Sequence, residues 1–347
     1  MAMNRRGFGL GVLAAAGCAT AGQSLGDGPM NEGAWMTLNG GEQWVAIRGK
    51  STQNPVLLFL HGGPGIGIAT SMPLFDAWTE DFTVVLWDQP GGGTTAMRNL
   101  GNHGELSPDR YARDGIALAE QLRKRFGNRK IVLMGISWGT HLGVEMAHRR
   151  PDLFSAYVGA SQATGLDARV MGYRMALDKM RERGNAAAIA ALERVGPPPY
   201  SKLEDFLVRQ QYTNPPFLPM TPVESARAME MQRKLNPPNL DAPYVAYKAT
   251  PAGFDMMKQF MDTQRAMQAR EDEWDIRDFG LDWPIPMFVF QGENDLNTPV
   301  PTAQAWMEEV RAPRKAFEVI PHAGHNTMVF GDELLALLRK HVLPVVA

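Results

Sequence analysis

The chain has 347 residues, 44% of them hydrophobic and 21% charged, with a formal net charge of −2. Such a composition excludes long disorder, and the absence of a basic helical face excludes a nucleic-acid-binding surface. Beyond the N-terminus no run of about eighteen residues is apolar throughout, which excludes a multi-spanning membrane protein.

The first segment reads as a processing signal. Arg5-Arg6 precede the uncharged stretch from Gly7 to Gly17, which ends in Ala15-Ala16-Gly17-Cys18. Paired arginines, a short apolar run and small residues before a cysteine resemble a bacterial export signal with a lipid-attachment site at Cys18. Residues 1–30 are therefore expected to be a signal or lipoprotein-like segment and linker. Membrane anchorage through a lipid and a place in the cell envelope or periplasm follow from that reading. The alternative is a cytoplasmic protein with a plain N-terminal extension. Cys18 is the one cysteine in the chain, so the remainder needs no disulfide.

A strand pattern begins near Ala34, and the turn Asn39-Gly40-Gly41 before Gln43 to Arg48 reads as a hairpin. Short apolar runs follow at Pro55 to Leu60, Thr83 to Trp87, Lys130 to Met134, Met287 to Phe290 and Ala316 to Ile320. Their length and apolarity fit strands buried on both faces of a parallel sheet. Between them, Ser107-Pro108-Asp109 is a helix start, with a capping serine and a proline at the first helical position. Ile116, Ala119, Leu122 and Phe126 recur at helical spacing until Gly127 ends the element. A further helix spans about Gly139 to Arg149. Strand alternating with helix predicts an α/β fold with a mostly parallel central sheet flanked by helices.

Residues 165–280 break that rhythm. They are helical in pattern, punctuated by Pro197-Pro198-Pro199, Pro215-Pro216 and Pro237-Pro238, and rich in methionine. They are expected to form a helical cap inserted between the two parts of the core, residues 31–164 and 281–347. Most of the methionines are expected to pack helices, although flexible methionines can also line an adaptable pocket.

Gly135-Ile136-Ser137-Trp138-Gly139 carries the clearest chemical signal. It follows an apolar run and opens a helix, the strand–turn–helix setting of a nucleophile elbow. Glycines flank the turn because only small residues fit there. A serine nucleophile needs a base, and the base needs an orienting acid. On this fold the order is serine, acid, histidine. His325, in Pro321-His322-Ala323-Gly324-His325, follows the last run and is preferred over His322 as base. Asp295, in the turn after Met287 to Phe290, is preferred over Glu293 as the acid. His341 is expected at the surface, His148 solvated, His141 in the interior and His103 in a loop near the pocket mouth. The glycine-rich stretch His61-Gly62-Gly63-Pro64-Gly65 follows the run ending at Leu60. Gly62 or Gly63, together with Trp138, is expected to offer the backbone N–H groups of an oxyanion hole. Gly63, Gly65 and Gly67 with Asp88 loosely mimic a dinucleotide fingerprint, but their spacing is wrong and Pro64 would disturb the phosphate turn.

Taken together, His61 to Gly65, Trp87-Asp88-Gln89-Pro90-Gly91, the elbow with Trp138, the turn around Asp295 and Gly324-His325 resemble the proline iminopeptidases and their α/β-hydrolase relatives. The resemblance covers about two thirds of the chain. It implies an α/β-hydrolase fold, the triad Ser137, Asp295 and His325, a small-molecule or short-peptide substrate, and no cofactor or metal. The chain departs from the family pattern at Pro90, where arginine is usual, and at Ile136. Members that release N-terminal residues grip the free amine with acids of the cap, for which Glu204, Glu224, Glu230 and Glu271-Asp272-Glu273 are candidates. A carboxylesterase acting on small esters and, more remotely, a non-catalytic binding protein are the competing readings.

Overall fold

The computed structural model describes residues 27–98, 100–271 and 273–346, so Arg5, Arg6 and Cys18 lie outside the described residues. Its centre is an eight-stranded sheet in the order β1-β2-β4-β3-β5-β6-β7-β8. β1 (Met30–Leu38) and β2 (Gly41–Gly49) form the expected hairpin, closed by Asn39 and Gly40, both at positive φ. β2 meets β4 (Thr83–Trp87) antiparallel. The pairings from β4 through β3 (Val56–Leu60), β5 (Ile131–Ile136), β6 (Phe154–Ala160), β7 (Met287–Gly292) and β8 (Lys315–Ile320) are all parallel.

Alternate residues of the inner strands feed two separate apolar layers. Leu58, Leu60, Leu133 and Val289 point to one face. Leu57, Phe59, Met134 and Phe290 point to the other. The first layer is covered by α2 (Pro108–Arg125), α3 (Trp138–Arg149) and α9 (Val300–Glu309). The second lies under the 3₁₀ segment Ala69–Glu80 and α10 (Gly331–Leu337), while the short helices α1 (Gly93–Arg98) and α11 (Leu343–Val346) lie at the periphery. α2 starts as its sequence dictates, with Ser107 Oγ accepting from the Arg110 N–H at 3.3 Å. Its inward face is Tyr111, Ala112, Gly115, Leu118, Ala119 and Leu122, so Ile116 sits on the flank rather than in the core.

Three sequence expectations need correction. β6 was not anticipated, although it lies between β5 and β7 in the sheet. Ser155, Ala156, Gly159 and Ala160 dilute its β-branched signal. β8 is an edge strand, paired only with β7, and Val319 on it is exposed, so this run is not buried on both faces. His341 is not a surface group: it is half-buried, packs beside Phe288 and Phe290, and its Nε2 lies 2.7 Å from Glu318 Oε1.

Residues 166–271 contribute α4 (Leu166–Glu182), α5 (Ala186–Val195), α6 (Leu203–Thr213), α7 (Pro222–Leu235) and α8 (Met256–Glu271). Met180 and Met267 of this stretch are buried, whereas Met229, Met256 and Met257 are exposed. No helix among the described residues is long and apolar enough to cross a membrane.

Candidate active site

The strand order reverses around β3, with β4 on one side and β5 on the other. A crevice opens at the C-terminal ends of parallel strands at such a switch point. Here it sets the loop after β3 against the end of β5. A Cβ added to Gly62 would lie 3.2 Å from Ser137 Cβ.

Ser137 occupies the tight turn between β5 and α3, at φ 52° and ψ −121°. Few L-residues adopt that conformation, and it holds the side chain clear of the backbone. The flanking glycines are required by close approach. A Cβ on Gly135 would collide with the Gly139 carbonyl, and one on Gly139 with the Leu60 carbonyl. The turn is tied down by the Ser137 N–H, which donates to Ala160 O at 3.1 Å, and by Thr140, whose N–H donates to Ser137 O at 2.8 Å.

Three side chains expected from the sequence meet here. Ser137 Oγ lies 2.8 Å from His325 Nε2. His325 Nδ1 lies 2.9 Å and 3.0 Å from the two carboxylate oxygens of Asp295. Asp295 is buried and accepts from the N–H of Asn297 at 2.8 Å, the N–H of Thr298 at 2.9 Å and Thr298 Oγ1 at 2.6 Å. Burial alone would push its carboxyl up. The facing His325 and the Thr298 donors outweigh that and hold it below the usual carboxylate range.

The histidine loop is anchored from several sides. Ser161 Oγ donates to His325 O at 2.6 Å, and the Gly324 N–H donates to Glu224 Oε1 of α7 at 3.0 Å. The alternatives weighed in the sequence lie elsewhere. His322 is exposed, and its N–H donates to Glu293 Oε2 at 2.8 Å, so these two residues brace the loop rather than face Ser137. His148 is exposed, and His103 sits beside Gln259 at 2.7 Å without lining the cavity.

On the opposite side of Ser137, Gln89 joins the two expected oxyanion elements. Its Nε2 donates to His61 O at 3.3 Å, and its Oε1 accepts from Trp138 Nε1 at 3.1 Å. Asp88 supports the same loop by accepting from the N–H groups of Ile68, Ala69 and Thr94 at 2.5, 2.8 and 2.7 Å. Trp138 is the first residue of α3, where backbone N–H groups have no helical acceptor. The Asp88–Gln89 pair was visible as a motif, but its bracing role requires the fold. No cluster of His, Cys, Asp or Glu suited to a metal ion occurs among the described residues.

His141 follows Ser137 by one helical turn and faces the interior. Its ring stacks on Trp274 with centroids 3.8 Å apart. Burial, reinforced by the charge of Arg169, pushes its pKa down to about 3 from an ordinary 6.5. Between those values the unfolded chain binds a proton that the folded chain refuses. Stability should therefore fall as the pH drops from 6.5 towards 3, by about 1.4 kcal/mol per unit from this residue. Urea unfolding at pH 6.5 and 4.5 should show His141→Phe losing about 2–3 kcal/mol less than the wild type over that interval. Equal losses would contradict the assignment.

A cavity of about 660 Å³ opens onto Ser137 and His325. Its floor comes from Phe59, Ile136 and the loop after β3, and its roof from α6, α7 and α8.

The parallel sheet with a strained serine at the end of β5 defines an α/β-hydrolase. Residues 53–332 match the family "Serine aminopeptidase, S33", and the chain belongs to that family of serine hydrolases. Over 313 residues it is 26% identical to a probable aminopeptidase of Bacillus subtilis, covering 88% of this chain and 94% of that protein. A proline iminopeptidase of Thermoplasma volcanium is 26% identical over 192 residues, which span 53% of this chain and 62% of that protein. The crystal structure of a proline iminopeptidase-related protein from Thermus thermophilus superimposes with a TM-score of 0.58 at 18% identity, over 90% of this chain and 99% of that one. The chain is thus a proline iminopeptidase-like, aminopeptidase-like hydrolase.

Proposed function

We propose that the protein hydrolyses a small amide or ester through an acyl-enzyme on Ser137. The observation that carries this reading is the unbroken chain Ser137 Oγ, His325 Nε2, His325 Nδ1 and Asp295, with contacts of 2.8 and 2.9 Å. His325 takes the proton of Ser137 as Oγ attacks the substrate carbonyl carbon. The oxyanion is held by the N–H of Trp138 and that of Gly62 or Gly63, each such donor being worth about 10²–10³ in rate. Collapse breaks the bond to the leaving group, which carries away the proton from His325. Water, deprotonated by the same histidine, then releases the acid and restores Ser137.

The family relatives favour cleavage of an N-terminal residue from a short peptide or amide, with α4 to α8 acting as a cap. The lining of the cavity favours a second reading, a small carboxylic ester. The mechanism itself is tested by stopped-flow hydrolysis of p-nitrophenyl acetate. A burst of p-nitrophenol approaching one equivalent per chain is expected, and it should vanish in Ser137→Ala. Turnover of wild type and variant at the same rate would refute the acyl-enzyme.

A further inference from the structure

The cavity beside Ser137 is walled by carbon. Leu74, Leu207, Met231, Leu235, Phe260 and Met328 supply most of its far surface. Its polar lining consists of neutral amides such as Gln210, Gln211, Asn214 and Gln264, besides the Ser137 and His325 groups themselves. Among the described residues no carboxylate lines it.

The acids of the overlying helices are engaged elsewhere. Glu224 is buried and turns its Oε1 to the Gly324 N–H. Glu230 faces Arg227 and Lys234 at 3.7 Å each. Glu204 is exposed in the first turn of α6, and Asp262 pairs with Lys258 at 2.6 Å. A substrate ammonium entering this cavity would leave water without meeting an opposite charge, which is heavily penalised in an apolar site. An alkyl or aryl chain would lose only unfavourable hydration.

We propose that this cavity takes an uncharged, apolar acyl group of medium length and rejects acyl groups bearing a free α-ammonium. The proposal rests on the acyl-enzyme reading above and narrows it. Its volume is in the range of pockets that enclose a small organic ligand. The amides on its wall can orient a neutral carbonyl or hydroxyl without demanding a charge.

The test compares methyl hexanoate with methyl 2-aminohexanoate at pH 6.5, below the usual range of an α-amine. The two differ only in the ammonium. The hexanoate should have the higher kcat/KM by about 100-fold or more, as expected for desolvating an unpaired charge. In a p-nitrophenyl ester series from acetate to octanoate, kcat/KM should rise about two- to fourfold per methylene until the cavity is filled. Gln210→Glu, which puts a carboxylate on the wall, should shrink the preference for hexanoate by about tenfold or more. Met231→Trp should flatten the chain-length series. An amino ester cleaved as fast as its neutral partner, or a flat series in the wild type, would overturn the proposal while leaving the acyl-enzyme intact. Absence of Ser137-dependent turnover on every ester would overturn both.

Discussion

Asp295→Asn is expected to lower kcat by on the order of 10³–10⁴ while leaving the fold in place. The argument lies in the hydrogen-bond pattern around this one carboxylate. Oδ1 accepts from the backbone N–H groups of Asn297 and Thr298, so an asparagine must keep its carbonyl oxygen there. Its NH₂ then takes the place of Oδ2, where Thr298 Oγ1 can rotate to accept from it. The second proton of that NH₂ faces His325 Nδ1, which must become the acceptor. The neutral ring then carries its proton on Nε2, pointing at Ser137 Oγ, and can no longer receive one from it. A pH–rate profile and thermal unfolding check this together. The expected result is a large fall in kcat with a small shift in melting temperature. A variant within tenfold of wild type would show that Asp295 does not set the tautomer of His325.

Ser137→Ala is expected to abolish turnover, by about 10⁴-fold or more, on both esters and amides. Only the hydroxyl is lost. The site retains the cavity, the His325–Asp295 contact and the N-terminus of α3, so weak substrate binding should survive. Alanine also has to accept φ 52° at the elbow, a strained conformation for any residue with a Cβ. Because serine already bears that strain, the substitution should change stability little. Steady-state kinetics with equilibrium binding of a non-hydrolysed product acid separates the two effects. Binding retained with turnover lost is expected, and turnover retained would remove Ser137 from the mechanism.

The elements that were legible in the sequence carry their information locally. The elbow can be read because Gly135 and Gly139 stand where any Cβ would strike the Gly139 and Leu60 carbonyls. His325 and Asp295 can be narrowed down because each follows a short apolar run near the end of the chain. The helix start at Ser107 is visible because its cap lies within four residues. What could not be read depends on residues distant in sequence. Glu224 was singled out as an acid that might face a substrate amine, yet its oxygen lies on the Gly324 N–H, one hundred residues away. Gln89 bridges His61 and Trp138 through contacts that no local pattern encodes. β6 escaped because small residues suffice for a strand packed between two others. The electrical character of the cavity escaped too, since whether an acid on a helix faces the cavity or its own neighbours is decided by packing alone.

The central claim is that Ser137 is a nucleophile activated by His325. The most direct measurement is the site and rate of phosphonylation by a fluorophosphonate, followed by intact mass and peptide mapping of wild type and His325→Ala. One adduct per chain, on the peptide containing Ser137, with labelling slowed by about 100-fold or more in His325→Ala, is the outcome this mechanism requires. An adduct on another residue, or equal labelling rates in the two proteins, would contradict it.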